Sequence, residues 1–89
     1  MMNKPTADQV RQFLVDKYSQ SIRALGLEQT SVPDDFDLLT NGVVDSFGIL
    51  EMITAIEEQF SLQLDMEKLD AEQLTILGPL CRYVADNAV

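Results

Sequence analysis

Val10, Phe13, Leu14, Tyr18, Ile22 and Leu25 recur three and four positions apart, which puts them on one face of an α-helix. Thr6 can accept a bond from the first turn while Gln9 reaches back to it, the arrangement of a capping box. Gly26 tolerates the left-handed backbone that ends helices. The pattern predicts a helix over residues 7–25. A second stripe, Phe47, Leu50, Ile53, Ile56 and Phe60, predicts a helix over 46–60. It turns those side chains inward, leaves Ile49 and Met52 off the centre, and sends Glu51, Glu57, Glu58 and Gln59 toward solvent. Leu69 and Leu74 predict a short helix over 66–73, capped by Asp65. Leu77, Leu80, Cys81, Val84 and Ala88 predict a last helix over 76–88, begun by Thr75 or by Gly78, with Pro79 tolerated in its first turn. Leu62 and Leu64 alternate with polar neighbours, but no second strand signal pairs with them. They read as extended residues plugging the core.

Between the first two helices lies a polar connection, residues 26–45, with Pro33, Asp34, Asp35, Asp37, Asn41 and Gly42. A loop of that length inside a small domain must be anchored or functional. Leu38, Leu39, Val43 and Phe36 are the expected anchors, and Gly42 supplies a tight turn. The reading is one all-α domain over residues 1–89. It is a small four-helix bundle, three main helices plus one short helix, with a long loop between helices one and two.

Composition narrows the chemistry. At 89 residues and 46% hydrophobic, the chain can build one modest core, burying roughly 60–65% of its unfolded surface, and disorder is not indicated. Fifteen acidic against six basic residues give a formal charge of −9. That field repels nucleic acid and anionic membrane and favours basic partners. There is no His, so neither a Ser-His-Asp triad nor the commonest general base is available within the chain. One Cys allows no internal disulfide and no Cys-cluster zinc site. On the inner stripe, Cys81 reads as a small hydrophobe rather than a nucleophile. Asp34, Asp35 and Asp37 lack the spacing, central Gly and closing Glu of a calcium loop, so no metal ligand is assigned. No run nears the roughly 18 apolar residues of a membrane span, and Met1 to Thr6 lead into polar sequence without a signal-peptide stretch. The expectation is a cytoplasmic monomer.

The segment Asp37-Leu38-Leu39-Thr40-Asn41-Gly42-Val43-Val44-Asp45-Ser46-Phe47 carries the candidate chemistry. It ends where the loop becomes a helix, so Ser46 is expected exposed beside amides that the helix leaves unpaired. Those amides and the positive end of the helix dipole suit an anion. Serine is also a favoured N-cap, but Asp45 is an excellent cap, which makes a second one redundant. With Gly42 and the paired valines before it, the segment resembles the prosthetic-group site of acyl carrier proteins, and the resemblance extends from about Asp34 to Val84. It implies a bundle of the kind described and 4′-phosphopantetheine attached to Ser46, with Asp45 and Phe47 flanking it. The cofactor's thiol would hold acyl, polyketide-type or aminoacyl groups as thioesters. It further implies a non-catalytic carrier in fatty acid, polyketide or nonribosomal peptide biosynthesis, modified by a phosphopantetheinyl transferase. Asp45 would orient the serine or the transferase's magnesium, or simply cap the helix.

The same resemblance makes the acidic side of helix 46–60 a docking face for basic patches on loading and transferring enzymes. Its candidates are Asp45, Glu51, Glu57 and Glu58, with Ile49 and Met52 as apolar contacts. Gly48 departs from the commoner fatty-acid carriers, which often have an acidic residue two places after the serine. The alternative is an unmodified acidic interaction bundle in which these acids form a solvated face and Ser46 is only a cap.

Overall fold

Thr6 and Gln9 do form the capping box. Thr6 Oγ1 accepts from the Gln9 amide at 3.1 Å, and Gln9 Oε1 accepts from the Thr6 amide at 2.8 Å. The computed structural model in which this is seen describes residues 5–64 and 75–87. Helix α1 runs Ala7–Lys17, with Asp8 in its first turn and Lys17 in its last, matching the helix dipole at both ends. It buries Val10, Leu14 and Val15.

The single helix expected over 7–25 is instead two. Tyr18 leaves helical geometry (φ −107°, ψ 23°), and α2 follows over Ser19–Ala24. Bonds from Tyr18 N to Leu14 O and from Ile22 N to Tyr18 O, both 3.0 Å, continue across the bend. The apolar period is therefore never interrupted, so periodicity could not reveal the break. Ser19 and Ser21, which compete locally for backbone bonds, follow it. Leu25 is exposed, a correction to the predicted stripe. Gly26 (φ 84°) ends α2, with Gly26 N donating to Arg23 O and Leu27 N to Ile22 O, a Schellman closure.

The connection includes a 3₁₀ turn, Gln29–Ser31, and buries Val32, Phe36, Leu38 and Val44. Leu39, an expected anchor, is 40% exposed, and Val32 takes its place. Helix α3 runs Ser46–Phe60 and α4 runs Leu77–Asn87. Ser61, in the left-handed region (φ 54°), closes α3. Leu62 and Leu64 plug the core as expected. The short helix predicted over 66–73, with Asp65, Leu69 and Leu74, and the position of Ala88, lie outside the described residues. Among the described residues the fold is all-α, with four α-helices and one isolated antiparallel bridge, Asp37 to Ile76.

That bridge fastens the loop. Leu38 N donates to Thr75 O (2.8 Å), Leu77 N to Phe36 O (2.9 Å) and Gly78 N to Asp34 O (2.8 Å). Two first-turn amides of α4 thus find acceptors in the loop backbone. Around this junction Asp34 also meets Arg11 Nη1 (2.8 Å) and Arg82 Nη1 (3.4 Å), while Arg11 Nη2 donates to Val32 O. The Asp34 side chain is 66% exposed, so these ion pairs add at most about 1 kcal/mol each. The core over which the loop closes comprises Val10, Leu14, Ile22, Leu38, Met52, Ile56, Leu77, Leu80 and Val84.

Helix α3 corrects the predicted stripe at its N-terminal end. Phe47 is 85% and Leu50 57% exposed, whereas Met52, Ile53 and Ile56 are buried and Ile49 is half-buried. Apolar residues occupy two overlapping faces of this helix, 47-50-53 and 49-52-53-56. Periodicity alone does not choose between them. Phe60 packs edge-to-face on Phe13, with centroids 5.6 Å apart.

Loop and helix approach closely at Gly78. A Cβ there would lie 2.9 Å from Asp34 Cβ and 3.0 Å from Asp34 O. Gly78→Ala should therefore lift the loop off α4 and cost about 1–3 kcal/mol, a fall in Tm of several degrees for a domain this size. Thermal unfolding by circular dichroism checks this, and an unchanged Tm would contradict the contact.

Candidate functional site

The approach to the serine is a sequence of local turns. Asp37 Oδ1 accepts from the amides of Leu39 (2.9 Å) and Thr40 (3.0 Å), and Asn41 Nδ2 donates to Asp37 O (2.8 Å). This is an Asx turn. Gly42 (φ 76°) reverses the chain. The amides of Val43 and Val44 then both donate to Leu38 O, at 2.9 and 3.1 Å. Val44 is buried and the next three residues are exposed. The chain is therefore pinned one residue before it surfaces.

Asp45 is the N-cap of α3. Its Oδ1 accepts from the Gly48 amide at 2.6 Å, and its carbonyl accepts from Ile49 N at 3.0 Å. Of the two roles read for Asp45, capping is the one its geometry performs. A Cβ on residue 48 would stand 3.2 Å from both Asp45 Oδ1 and Val44 Cβ, a tight fit that favours glycine beneath the cap. Ser46 is the first helical residue, exposed, and its hydroxyl makes no hydrogen bond among the described residues. The amides of Ser46 and Phe47 likewise have no protein acceptor among them.

Ser46 is one of the residues lining an open hollow of about 510 Å³. Leu39, Gly42, Val44 and Asp45 of the loop line it, with Tyr18 from between α1 and α2 and Glu51 from α3. Tyr18 packs against the core, as its place in the apolar stripe implies, and also lines this hollow, which the stripe does not show. Its phenol is pushed above the ordinary tyrosine range, chiefly by burial and secondarily by the Glu51 charge.

The docking residues expected on α3 divide. Asp45, Glu51 and Glu58 are exposed. Glu57 is half-buried and its Oε2 accepts from the Leu64 amide at 3.0 Å, so it holds the exit of the helix instead of facing solvent freely. Met52 is fully buried, which removes it from any contact surface, and Ile49 is half-buried. Phe47 and Leu50 supply exposed apolar surface instead. Cys81 is buried in the core, and desolvation pushes its thiol up to about 12, so it is no nucleophile at neutral pH. Among the described residues no group of three or more His, Cys, Asp or Glu is placed to hold a metal ion. No helix among them is long and apolar enough to cross a membrane.

Among characterised proteins the chain is similar to the acyl carrier protein of Helicobacter pylori (strain J99). The two are 27% identical over 63 residues, 71% of this chain and 78% of the relative. No protein-family model matches the chain, and no solved structure matches it significantly. The resemblance drawn from the Asp45-Ser46-Phe47 segment thus has a distant relative that bears the same family name.

The Asp37 carboxyl is held below its usual range, first by the Thr40 amide; burial opposes this in part, and the Thr40 hydroxyl and Leu39 amide add to the lowering. A carboxyl depressed on folding stabilises the fold above its unfolded value, about pH 4. That contribution is lost as pH falls through the lower, folded value. Asp37→Asn keeps an acceptor oxygen but cannot titrate. Its stability in urea, measured from pH 5 to pH 2, should fall less steeply than that of the wild type. Equal slopes would deny the turn its role.

Proposed function

We propose that this chain is a non-catalytic carrier protein. It holds acyl groups as thioesters on a 4′-phosphopantetheine arm attached to Ser46 and presents them to partner enzymes. The observation that carries the reading is an exposed serine hydroxyl with no hydrogen bond among the described residues, placed at the first position of a helix whose cap is the neighbouring Asp45. A serine needed for capping would be tied to the first turn. This one is not.

The residues present fit the group. The Ser46 and Phe47 amides and the positive end of α3 suit a phosphodiester, while the Asp45 carboxylate is engaged by the Gly48 amide. The like charges of Asp45 and Glu51 oppose the phosphate. Both side chains are exposed, and screening at physiological salt acts over about 8 Å. When bound, the arm would supply the thiol that no exposed side chain here provides. The chain's own part is to hold Ser46 Oγ open to a phosphopantetheinyl transferase. There Oγ would bond to phosphorus of coenzyme A, adenosine 3′,5′-bisphosphate would leave, and the transferase would take the hydroxyl proton.

Acyl, polyketide-type and aminoacyl cargo all suit this attachment, and the proposed setting is the cytoplasm. Asp45, Glu51 and Glu58, with the exposed Phe47 and Leu50, form the surface proposed to meet basic patches on loading enzymes. Incubation with coenzyme A, magnesium and a broad-specificity transferase should add the mass of one phosphopantetheinyl group to the wild type and nothing to Ser46→Ala. A folded wild type that gains no mass would return the protein to the class of unmodified acidic interaction domains.

A further inference from the structure

We propose that the hollow beside Ser46 seats the pantetheine arm against the protein, with Tyr18 as the positioning residue; this rests on the carrier reading above. Ser46 is among the residues that line the hollow, so an arm attached to its Oγ begins beside the space it would fill. At about 510 Å³ the space falls within the ~300–1,000 Å³ of ordinary small-molecule sites. Its walls suit the chemistry of the arm, which beyond the phosphate is uncharged, with a dimethyl carbon, a hydroxyl and two amides. Leu39, Val43 and Val44 offer apolar surface, and the Tyr18 hydroxyl and Glu51 carboxylate offer acceptors for amide N–H groups.

Tyr18 sits where α1 gives way to α2, half-buried, packed against the core and lining the hollow. Lys17 Nζ stands 5.6 Å from the ring centroid and adds a cation–π contact. Depression of the surface, not exposure alone, singles out this side of Ser46. On α3, Phe47 and Leu50 project outward as exposed side chains and do not line the hollow.

An open hollow holds a free ligand weakly, but the arm is tethered. A short tether gives an effective concentration on the order of 1 mM, so an intrinsic affinity of about 1 mM fills the seat half the time. An arm in that exchange is shielded between partners and released to them without an added step.

The test uses holo-protein prepared with a carbon-13-labelled arm, its loading verified by intact mass. Nuclear Overhauser contacts between the arm's dimethyl protons and the Tyr18 ring are expected in the wild type and in Tyr18→Phe. In Tyr18→Ala, folded by circular dichroism, the arm's local order should fall toward that of a free chain, its seated fraction dropping at least twofold. Loaded wild type without any contact to Tyr18 would overturn the seat while leaving the carrier reading intact. Failure to load at all would overturn both. The wild-type contacts decide the matter even if Tyr18→Ala does not fold.

Discussion

Three backbone hydrogen bonds between the 26–45 connection and the start of α4 are the constraint on which the rest of this structure depends. Ordering a connection of this length costs on the order of 1–2 kcal/mol of backbone entropy per residue. The compensation is buried apolar surface at Val32, Phe36, Leu38 and Val44, reachable only when the loop lies in one register. The bonds of Asp34 O, Phe36 O and Leu38 N set that register. They also satisfy amides at the helix start that would otherwise lack acceptors. The Asp34 pairs with Arg11 and Arg82 decorate this junction, but solvent access keeps them secondary.

From that register the site follows in order. Leu38, held by Thr75, gives its carbonyl to Val43 and Val44, and Val44 sinks into the core. Asp45 is then the first residue free to turn its carboxylate into the amide of Gly48. Capping falls to Asp45 because it precedes the helix in extended conformation, which leaves Ser46 with nothing to do for the fold. An exposed hydroxyl relieved of structural duty, at the positive end of a helix in an otherwise acidic molecule, is a sound place for a tethered phosphodiester. Electrostatics divides the helix acids as well: Glu51 and Glu58 stay exposed, whereas Glu57 is half-buried and accepts from the Leu64 amide.

Much of this was legible in the residues. Thr6 and Gln9 announced the first cap, Gly26 the end of α2, and Asp45-Ser46 the start of α3, because each is decided by bonds among residues a few positions apart. The resemblance to acyl carrier proteins was drawn from the same local segment. The inward face of α3 was not legible. With Phe47, Ile49, Leu50, Met52 and Ile53 all apolar, which side turns inward is set by where the loop delivers Val44, a tertiary fact. Tyr18 does pack against the core as the stripe implies, but the irregular geometry there leaves the apolar period intact, so the sequence does not show that the residue also lines the hollow. Gly78 carried an ambiguous signal, a possible cap that proves to be a point of close approach to Asp34.

The central claim is that α3 is capped by Asp45 and spares Ser46 for chemistry, and urea unfolding of Asp45→Ala beside Ser46→Ala tests it most directly. The account predicts a loss of about 0.5–2 kcal/mol for Asp45→Ala, the ordinary worth of an N-cap, and a change within about 0.5 kcal/mol for Ser46→Ala, as at an unengaged surface position. An equal or larger loss from Ser46→Ala would mean that the serine holds the helix, and would contradict the account.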